Sequence, residues 1–550
     1  MAFLRGGNGA DSLVGTIGSD TLAGFYGSDR LNPGRGADRA DGGPGADVLL
    51  WDEDRNSSGV IDNYTGSDWY EQYDSNLYGS LSGGDRLVLG SSAGAGGFRV
   101  TFTTSEAGRA SDAYGNRLNF TGIERIQTGV GNDLIDGTHA RILGERHAGD
   151  ATSYVPQHGL TVMAGAGNDT VRGTSASDVL DGGGGNDRLF GGGGTDLMMS
   201  SAGNDWVHGG AGDDNVRWGN NGGTGPIHNI GHDTLIGGNG TDLLNLWGKG
   251  DGENSVGTYV VLTGRSSGWA TFTADNGRAT FSEFEQFWTH EGRDTVSGAN
   301  ADIGLNTRGI MFNTRWGDDV LTGSRGNDTL EGGDGADTIN GGRGNDVISM
   351  FESFWVADGG SVAADGARDV LVLQDGSGVD KVRAFKIGGS DGDRLNVGGM
   401  HDAQGNRVDV NDVRVGSSNG DAVLIFPNGE RVIFEGVSPA TLTRSVLVDL
   451  GIPATSSQSA AQNAPAAVQA ARSTDADASA KQDLAAAGDD ASAATGSHDP
   501  MPADDAGAMA ANAPAAGDSL LSLYSGLADL FGDANAQSMA EADAMDFNWG

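Results

Sequence analysis

The chain has 550 residues, 96 of them Gly and none Cys, with a formal net charge of −41. Glycine at this level without a three-residue period excludes collagen, and the lack of Cys excludes both a disulfide scaffold and a thiolate metal site. Such acidity excludes nucleic acid as a partner, since phosphate binding rests on Lys and Arg; no apolar run nears the ~18 residues of a transmembrane segment, and the opening MAFLRGGNGAD holds no apolar signal-peptide core.

Residues 6–50 read as five nonapeptides in register, with aspartates at Asp11, Asp20, Asp29, Asp38 and Asp47. The block is degenerate. Phe25 takes a glycine place, Pro33 opens one turn, and Ala40 replaces the inward Leu, so Asp38 is expected to tolerate change best. Residues 51–96 then break the period with Trp51, Tyr64, Trp69, Tyr70, Tyr73 and Tyr78, which read as an aromatic cap or as a sugar- or partner-contacting surface. A longer repeat follows. Gly97 to Gly137 and Gly257 to Gly298 each run strand, loop, strand and re-enter one nonapeptide, aligning Glu124 with Glu285 and Asp133 with Asp294. The paired glutamates read as structural or ion-binding side chains at the junction, with catalytic acids as the alternative.

Between those copies lies the stretch that organises the rest. From Ala164 to Arg217 aspartate returns at every ninth position: Asp169, Asp178, Asp187, Asp196, Asp205 and Asp214, continued by Asp233 and Asp242. Two places after the first six comes an apolar residue, Val171, Leu180, Leu189, Met198, Val207 or Val216. A third block carries Asp319, Asp328, Asp337 and Asp346. Six residues of each unit, GGxGxD, suit a turn, because glycine adopts positive φ freely. The remaining three suit a short strand whose middle side chain points inward. Strands so short bury a core only by stacking, coil on coil. Two units make one coil, so turns eighteen residues apart overlie, and their carboxylates repel until a cation lies between them.

The unit matches G-G-x-G-x-D-x-U-x, the calcium-binding β-helix repeat of RTX proteins, and the chain is identified as a member of that family. The resemblance implies an all-β fold of stacked parallel β-rolls and several Ca2+ ions, which favour six to eight oxygen ligands. It implies ligation by Asp11, Asp20, Asp29, Asp47, Asp133, Asp169, Asp178, Asp187, Asp196, Asp205, Asp214, Asp233, Asp242, Asp294, Asp319, Asp328, Asp337 and Asp346. Gly183, Gly185, Gly192, Gly194, Gly333, Gly335, Gly342 and Gly344 would shape the best-kept turns. From Asp369 the alternating segments, with Asn428-Gly429 as a hairpin turn, resemble the β-rich module that closes rolls in serralysin-like proteins, where Asp391 and Asp393 are a further candidate ion site.

The expected divisions are an N-terminal roll (1–50), an excursion with the first lead-in module (51–163), a central roll (164–245), a second lead-in module (246–298), a third roll (299–350), a β-rich cap (351–451), a disordered linker (452–516) and a secretion signal (517–550). The linker is Ala, Ser, Gln, Asp and Pro with too little apolar content to fold. The last segment, with Leu520, Leu523, Leu527, Leu530 and Phe531 at helical spacing, resembles the uncleaved signal of type I secretion substrates. Its alternative is a partner-binding helix.

Catalytic signals are sparse. GxSxG occurs at Gly90–Gly94 and Gly264–Gly268, but neither is followed by a helix-forming run, as a nucleophile elbow requires. There is no HExxH, and His228 and His232 lie in a loop-forming Gly/Pro context. The expectation is a secreted, calcium-folded protein of structural or adhesive type at a surface, matrix or S-layer-like array, with no transmembrane segment. Its partners would be calcium, the type I machinery, and cell-surface polysaccharide or other copies of itself. The competing class is a secreted RTX-associated enzyme, hydrolytic or polysaccharide-modifying.

Overall fold

In the computed structural model each nonapeptide makes a turn and a strand of about three residues, and successive strands fall on opposite sides of a flattened coil. The structure describes residues 1–51, 61–67, 85–90, 96–142, 158–219, 230–247, 257–272, 277–290, 292–351 and 366–455. The aromatics Trp69, Tyr70, Tyr73 and Tyr78, the Gly90–Gly94 match beyond Gly90, His228, the linker from residue 456 and the terminal helical pattern lie outside the described residues.

Two sheets result, one on each side. In the first, Thr170–Arg172, Arg188–Gly193, Trp206–Ala211 and His232–Asn239 pair in parallel; in the second, Ser177–Asp181, Leu197–Met199, Asn215–Gly219 and Leu243–Trp247 do the same. Register follows the repeat, so that Val171, Leu189, Val207 and Leu235 stack as one inward column and Leu180, Met198, Val216 and Leu244 as the other. All eight are fully buried. Burial of such a side chain contributes roughly 1.5–3 kcal/mol, and the two columns together form the core.

The lead-in modules do not interrupt the sheets. Each inserts three antiparallel strands, one more than the sequence pattern suggests: Arg99–Thr104, Ala107–Ser111 and Arg117–Thr121, then Thr258–Leu262, Gly268–Phe272 and Arg278–Ser282. The third strand of each pairs in parallel with the preceding roll, and the first with the following one. Pairing therefore runs unbroken from Phe3–Arg5 to Arg394–Gly399 in one sheet. In the other it runs from Ser12–Thr16 to the closing hairpin Asp421–Ile425 and Arg431–Phe434, with Arg414–Ser418 outermost. Wider coils at the modules are filled by aromatics such as Phe102 and Phe120, whose rings meet edge-on at 5.4 Å, and Phe281 and Phe287 at 5.3 Å. Past the hairpin, the helix Arg444–Asp449, N-capped by Thr443, buries Leu447 against this end.

Leu189→Ala is expected to lower the unfolding free energy of the calcium-loaded chain by about 2–5 kcal/mol in urea denaturation, because it opens a cavity in a column of one side chain per coil. Val14→Ala, on an outward position 65% exposed, is expected to stay within about 0.5 kcal/mol. Equal losses at the two positions would contradict the two-column core.

Candidate metal centres

The repeat aspartates fall into two rows, one beside each sheet, and each row is a ladder. Oδ1 of one aspartate accepts the backbone N–H of the aspartate one coil earlier. Asp133 donates to Asp169, Asp169 to Asp187, Asp187 to Asp205 and Asp205 to Asp233, at 2.6–2.8 Å. Beside the other sheet Asp178 donates to Asp196, Asp196 to Asp214 and Asp214 to Asp242, at 2.8–2.9 Å. The rows start again in the third roll: Asp294, Asp319, Asp337 and Asp369 on one side, and Asp328, Asp346 and Asp380 on the other. In the first roll the steps are Asp20 to Asp38 to Asp62, and Asp11 to Asp29 to Asp47 to Asp85.

The second oxygen divides the turns into two kinds. In Asp29, Asp38, Asp169, Asp187, Asp196, Asp205, Asp214, Asp242 and Asp346, Oδ2 is buried without a hydrogen-bond partner. In Asp11, Asp20, Asp178 and Asp328 it accepts a backbone N–H, from Gly7 (2.5 Å), Thr16, Thr174 and Ser324 (2.6 Å each) respectively. These donors occupy the second position of the turn. Where that position has positive φ, as at Gly183 (+82°), Gly192 (+106°) and Gly342 (+93°), its N–H does not reach the carboxylate and the turn stays open. Three open turns hold this conformation without glycine: Phe25 (+74°), Ser201 (+65°) and Arg315 (+63°) precede Asp29, Asp205 and Asp319. Left-handed backbone at such residues costs roughly 1–2 kcal/mol each.

All eight glycines singled out by the pattern, Gly183, Gly185, Gly192, Gly194, Gly333, Gly335, Gly342 and Gly344, lie at positive φ between +82° and +133°. Gly185 shows why: a Cβ there would meet the Gly167 carbonyl oxygen of the coil below at 1.7 Å. The first glycine of the open turns serves the carboxylate itself. A Cβ on Gly191 would stand 2.2 Å from Asp196 Oδ2, and one on Gly182 2.5 Å from Asp187 Oδ2.

An unpartnered buried carboxylate oxygen costs several kcal/mol unless its charge is removed or matched. Burial accordingly pushes the Asp205 and Asp242 carboxyls up to about 8, and Asp169 and Asp214 up to about 7, with nearby aspartates adding to the rise, for Asp214 the adjacent Asp213. Burial raises Asp196 too, and here Asp178 and Asp214 are the next cause. Closure does not by itself prevent the rise: burial pushes Asp178 up to about 7 and Asp328 up to about 6, whereas the Thr16 hydroxyl holds Asp20 below the usual range. Hard oxygen donors in stacked turns, with one oxygen anchored and the other unsatisfied, fit a calcium ion. When bound, calcium supplies fixed positive charge between carboxylates, and the open-turn aspartates are the residues that would hold it.

Two aspartates depart in another way. Asp233 Oδ2 accepts the indole N–H of Trp218, and Asp62 Oδ2 that of Trp51 at 2.7 Å. Both tryptophans stand four residues after a row aspartate, where the pattern places glycine. Asp11, Asp20, Asp178, Asp328 and Asp233 thus differ from the open-turn aspartates named above in having Oδ2 served by the chain itself.

Several members escaped the sequence pattern. Asp62, Asp85, Asp369 and Asp380 extend the rows outside any nonapeptide. Asp38 and Asp393, both singled out from the sequence, also stand in the rows. Glu124 and Glu285 accept from Asp85 (2.5 Å) and Asp242 (3.1 Å) through Oε2, filling the rung where each junction begins. Asp391 is paired with the Lys386 ammonium, and Asp393 accepts from the Asp369 and Lys386 amides, so protein donors meet both carboxylates. Gly264–Gly268 is a hairpin turn, closed by Thr263 and Gly264 amides on the Ser267 carbonyl, and leads into strand Gly268–Phe272 rather than a helix. His232 opens a strand, its amide on Asn204 Oδ1.

Asp187→Asn keeps the anchoring Oδ1 but removes the charge at an open turn. It is expected to raise the calcium midpoint at least about threefold and to remove roughly one bound ion per chain by atomic emission. Asp178→Asn, at a closed turn, is expected to lower stability while leaving the ion count unchanged; loss of an ion from both variants would erase the distinction.

The raised carboxyls fix the sign of a pH effect. An unfolded carboxylate titrates near 3.9. The folded metal-free rows therefore hold more protons between about pH 4 and 8, and their stability is greatest below that window and falls as pH rises through it. In calcium-free buffer the β signal by circular dichroism is expected to be larger at pH 5.5 than at pH 8. Calcium added at pH 8 should restore it, while calcium added at pH 5.5, where the folded rows hold protons, should release them; a metal-free signal that grew with pH would have the wrong sign.

Comparison with known proteins bears on the same rows. The family described as "RTX calcium-binding nonapeptide repeat (4 copies)" matches residues 5–40, 27–50, 119–138, 163–198, 193–220, 229–248 and 314–348. No curated protein matches the chain. Among solved structures the extracellular lipase LipA from Serratia marcescens is similar, at 19% identity over 52% of this chain and 44% of that one, with a TM-score of 0.16. This chain thus spans less than half the length of that lipase, and so loose a superposition carries no argument. The repeat aspartates from Asp11 to Asp47, Asp133, those from Asp169 to Asp242 and those from Asp319 to Asp346 lie within the matched stretches, and the chain carries RTX calcium-binding nonapeptide repeats there.

Proposed function

We propose that this secreted calcium-binding protein is a structural or adhesive component of a surface or matrix, folded by calcium outside the cell and exported by a type I system. The observation that supports calcium-driven folding is the run of buried Oδ2 atoms without partners. Backbone ordering costs about 1–2 kcal/mol per residue, most for glycine, while the core is only two columns wide. One extracellular-type site with a dissociation constant of roughly 10⁻⁴–10⁻³ M adds about 1.4 kcal/mol at tenfold excess, so many sites act together. A structural rather than catalytic role is supported by continuity: among the described residues the rolls, modules and cap form one run of paired strands. We carry the eight-part division of the chain as part of this proposal, with the rolls as calcium-bearing units and the modules as metal-poor joints. The terminal segment 517–550 enters on its sequence resemblance alone.

Circular dichroism is expected to show a cooperative gain of β signal over submillimolar to millimolar calcium that equal magnesium does not reproduce. A fully formed β spectrum in excess chelator at neutral pH would overturn calcium-driven folding. Fractionation tests the role: the protein is expected to stay with the cell surface or matrix, and quantitative release with activity on an ester or polysaccharide would favour an enzyme. Deleting Leu520 to Gly550 is expected to trap the chain in the cytoplasm while the purified truncated form still folds with calcium; normal export of that form would remove the tail from the proposal.

A further inference from the structure

The outward face of the first sheet, where the central roll meets the second module, combines arginines with aromatic side chains. Across the strands Thr170–Arg172, Arg188–Gly193, Trp206–Ala211, His232–Asn239, Arg278–Ser282, Gly268–Phe272 and Thr258–Leu262, register brings the outward side chains into rows. One row is Thr170, Arg188, Trp206, Thr234, Thr280, Trp269 and Val261 in register order. Arg172 and Phe190 lie beside it on one side, Arg278 on the other. No outward position on these seven strands is acidic, in a chain with 75 Asp and Glu against 34 Lys and Arg. Glu283, at the border, is the carboxylate that faces His208.

The face carries two aromatic platforms. Phe190 and Trp206 meet at 4.9 Å, with the Arg172 guanidinium 5.3 Å over the Phe190 ring. Trp269 lies three strand spacings from Trp206, about 14 Å. Arg278 sits 4.5 Å over its ring. Arg188, in register beside Trp206, is exposed, and Phe190, Trp206 and Trp269 are half-buried, with His208 stacked against Trp206 and Tyr259 beside Trp269. Three features converge. Four parallel strands of the roll and three antiparallel strands of the module form the surface in continuous register. The rings are held rigid by their neighbours. The guanidiniums offer planar forks that match carboxylates. Sugar rings stack their C–H faces on aromatics, and carboxylates on those sugars meet arginine.

We propose that this face is a binding platform for a linear, carboxylate-bearing polysaccharide, laid across the strands from Phe190 and Trp206 to Trp269 and held by Arg172, Arg188 and Arg278. The inference rests on the surface-adhesive reading above and gives it a ligand class. Contacts of this kind between arginine and carboxylate are screened by salt, so docking on this face is salt-dependent.

The test uses the full chain, folded in fixed calcium, with hyaluronan as the carboxylate-bearing probe, neutral dextran as its uncharged counterpart and single-stranded DNA as a polyanion of another class. Hyaluronan is expected to quench tryptophan fluorescence and bind saturably, more weakly at high salt, with dextran and DNA at least tenfold weaker. Arg188→Gln with Arg278→Gln keeps the aromatic packing and is expected to weaken hyaluronan binding at least tenfold. Trp206→Ala should do the same, with the calcium midpoint and β signal of the variants unchanged. Binding of dextran or DNA as tight as hyaluronan, or arginine variants that bind normally, would overturn the proposal. Cell-surface retention by a chain that fails to bind hyaluronan would overturn this platform alone and leave the adhesive reading standing; binding by a chain released into the medium would do the reverse.

Discussion

Everything in this molecule depends on a carboxylate used twice. One oxygen of each row aspartate accepts the amide of the aspartate in the previous coil, and this bond fixes the coils in register. The other oxygen is thereby carried into the interior, where in the open turns no protein donor meets it. The interaction that orders the solenoid is thus also the one that destabilises it. Net favourable hydrogen bonds of about 1–3 kcal/mol each to charged groups are set against a row of desolvated charges. Only a cation or a proton relieves the second half without giving up the first.

Glycine usage follows from this constraint rather than from flexibility. The first glycine of an open turn leaves room beside Oδ2, and the second turns its own amide away from it. Phe25, Ser201 and Arg315 make the point more sharply than any glycine, since each adopts the same left-handed backbone against its steric preference. Holding a strained turn to keep a carboxylate unsatisfied makes physical sense only where something else satisfies it.

Much of this was legible in the sequence, because nine-residue periodicity sets turn, strand and inward side chain together. The all-β class, the two inward columns and the rows of Asp169 to Asp214 follow from it directly. What was not legible was whatever departs from local pattern. Asp38 takes its place in the ladder through coil stacking, which Pro33 and Ala40 do not disturb. Asp62, Asp369 and Asp380 sit in the rows 24 to 34 residues from their donors, beyond any fixed period. The difference between Asp178 and Asp187 turns on one amide direction, readable only from backbone dihedrals: Thr174 closes the first and Gly183 opens the second.

The distribution of closed turns has its own logic. A cation shared between overlying turns needs a neighbour on each side, and a turn at the start of a row lacks one. Asp11 and Asp20 begin the first roll, Asp178 begins the second-sheet row of the central roll after the first junction, and Asp328 begins the corresponding row after the second; each is closed by an amide of its own turn. At the far end of the first-sheet rows Asp62 and Asp233 are closed by the indoles of Trp51 and Trp218, immediately before the antiparallel modules take over the sheet. These ends are satisfied by fixed protein donors, whereas Asp242, the last aspartate of the second-sheet row in the central roll, keeps an unmet Oδ2 while its amide goes to Glu285. Closure by an amide or an indole is thus a property of individual turns, and the end of a row does not by itself impose it.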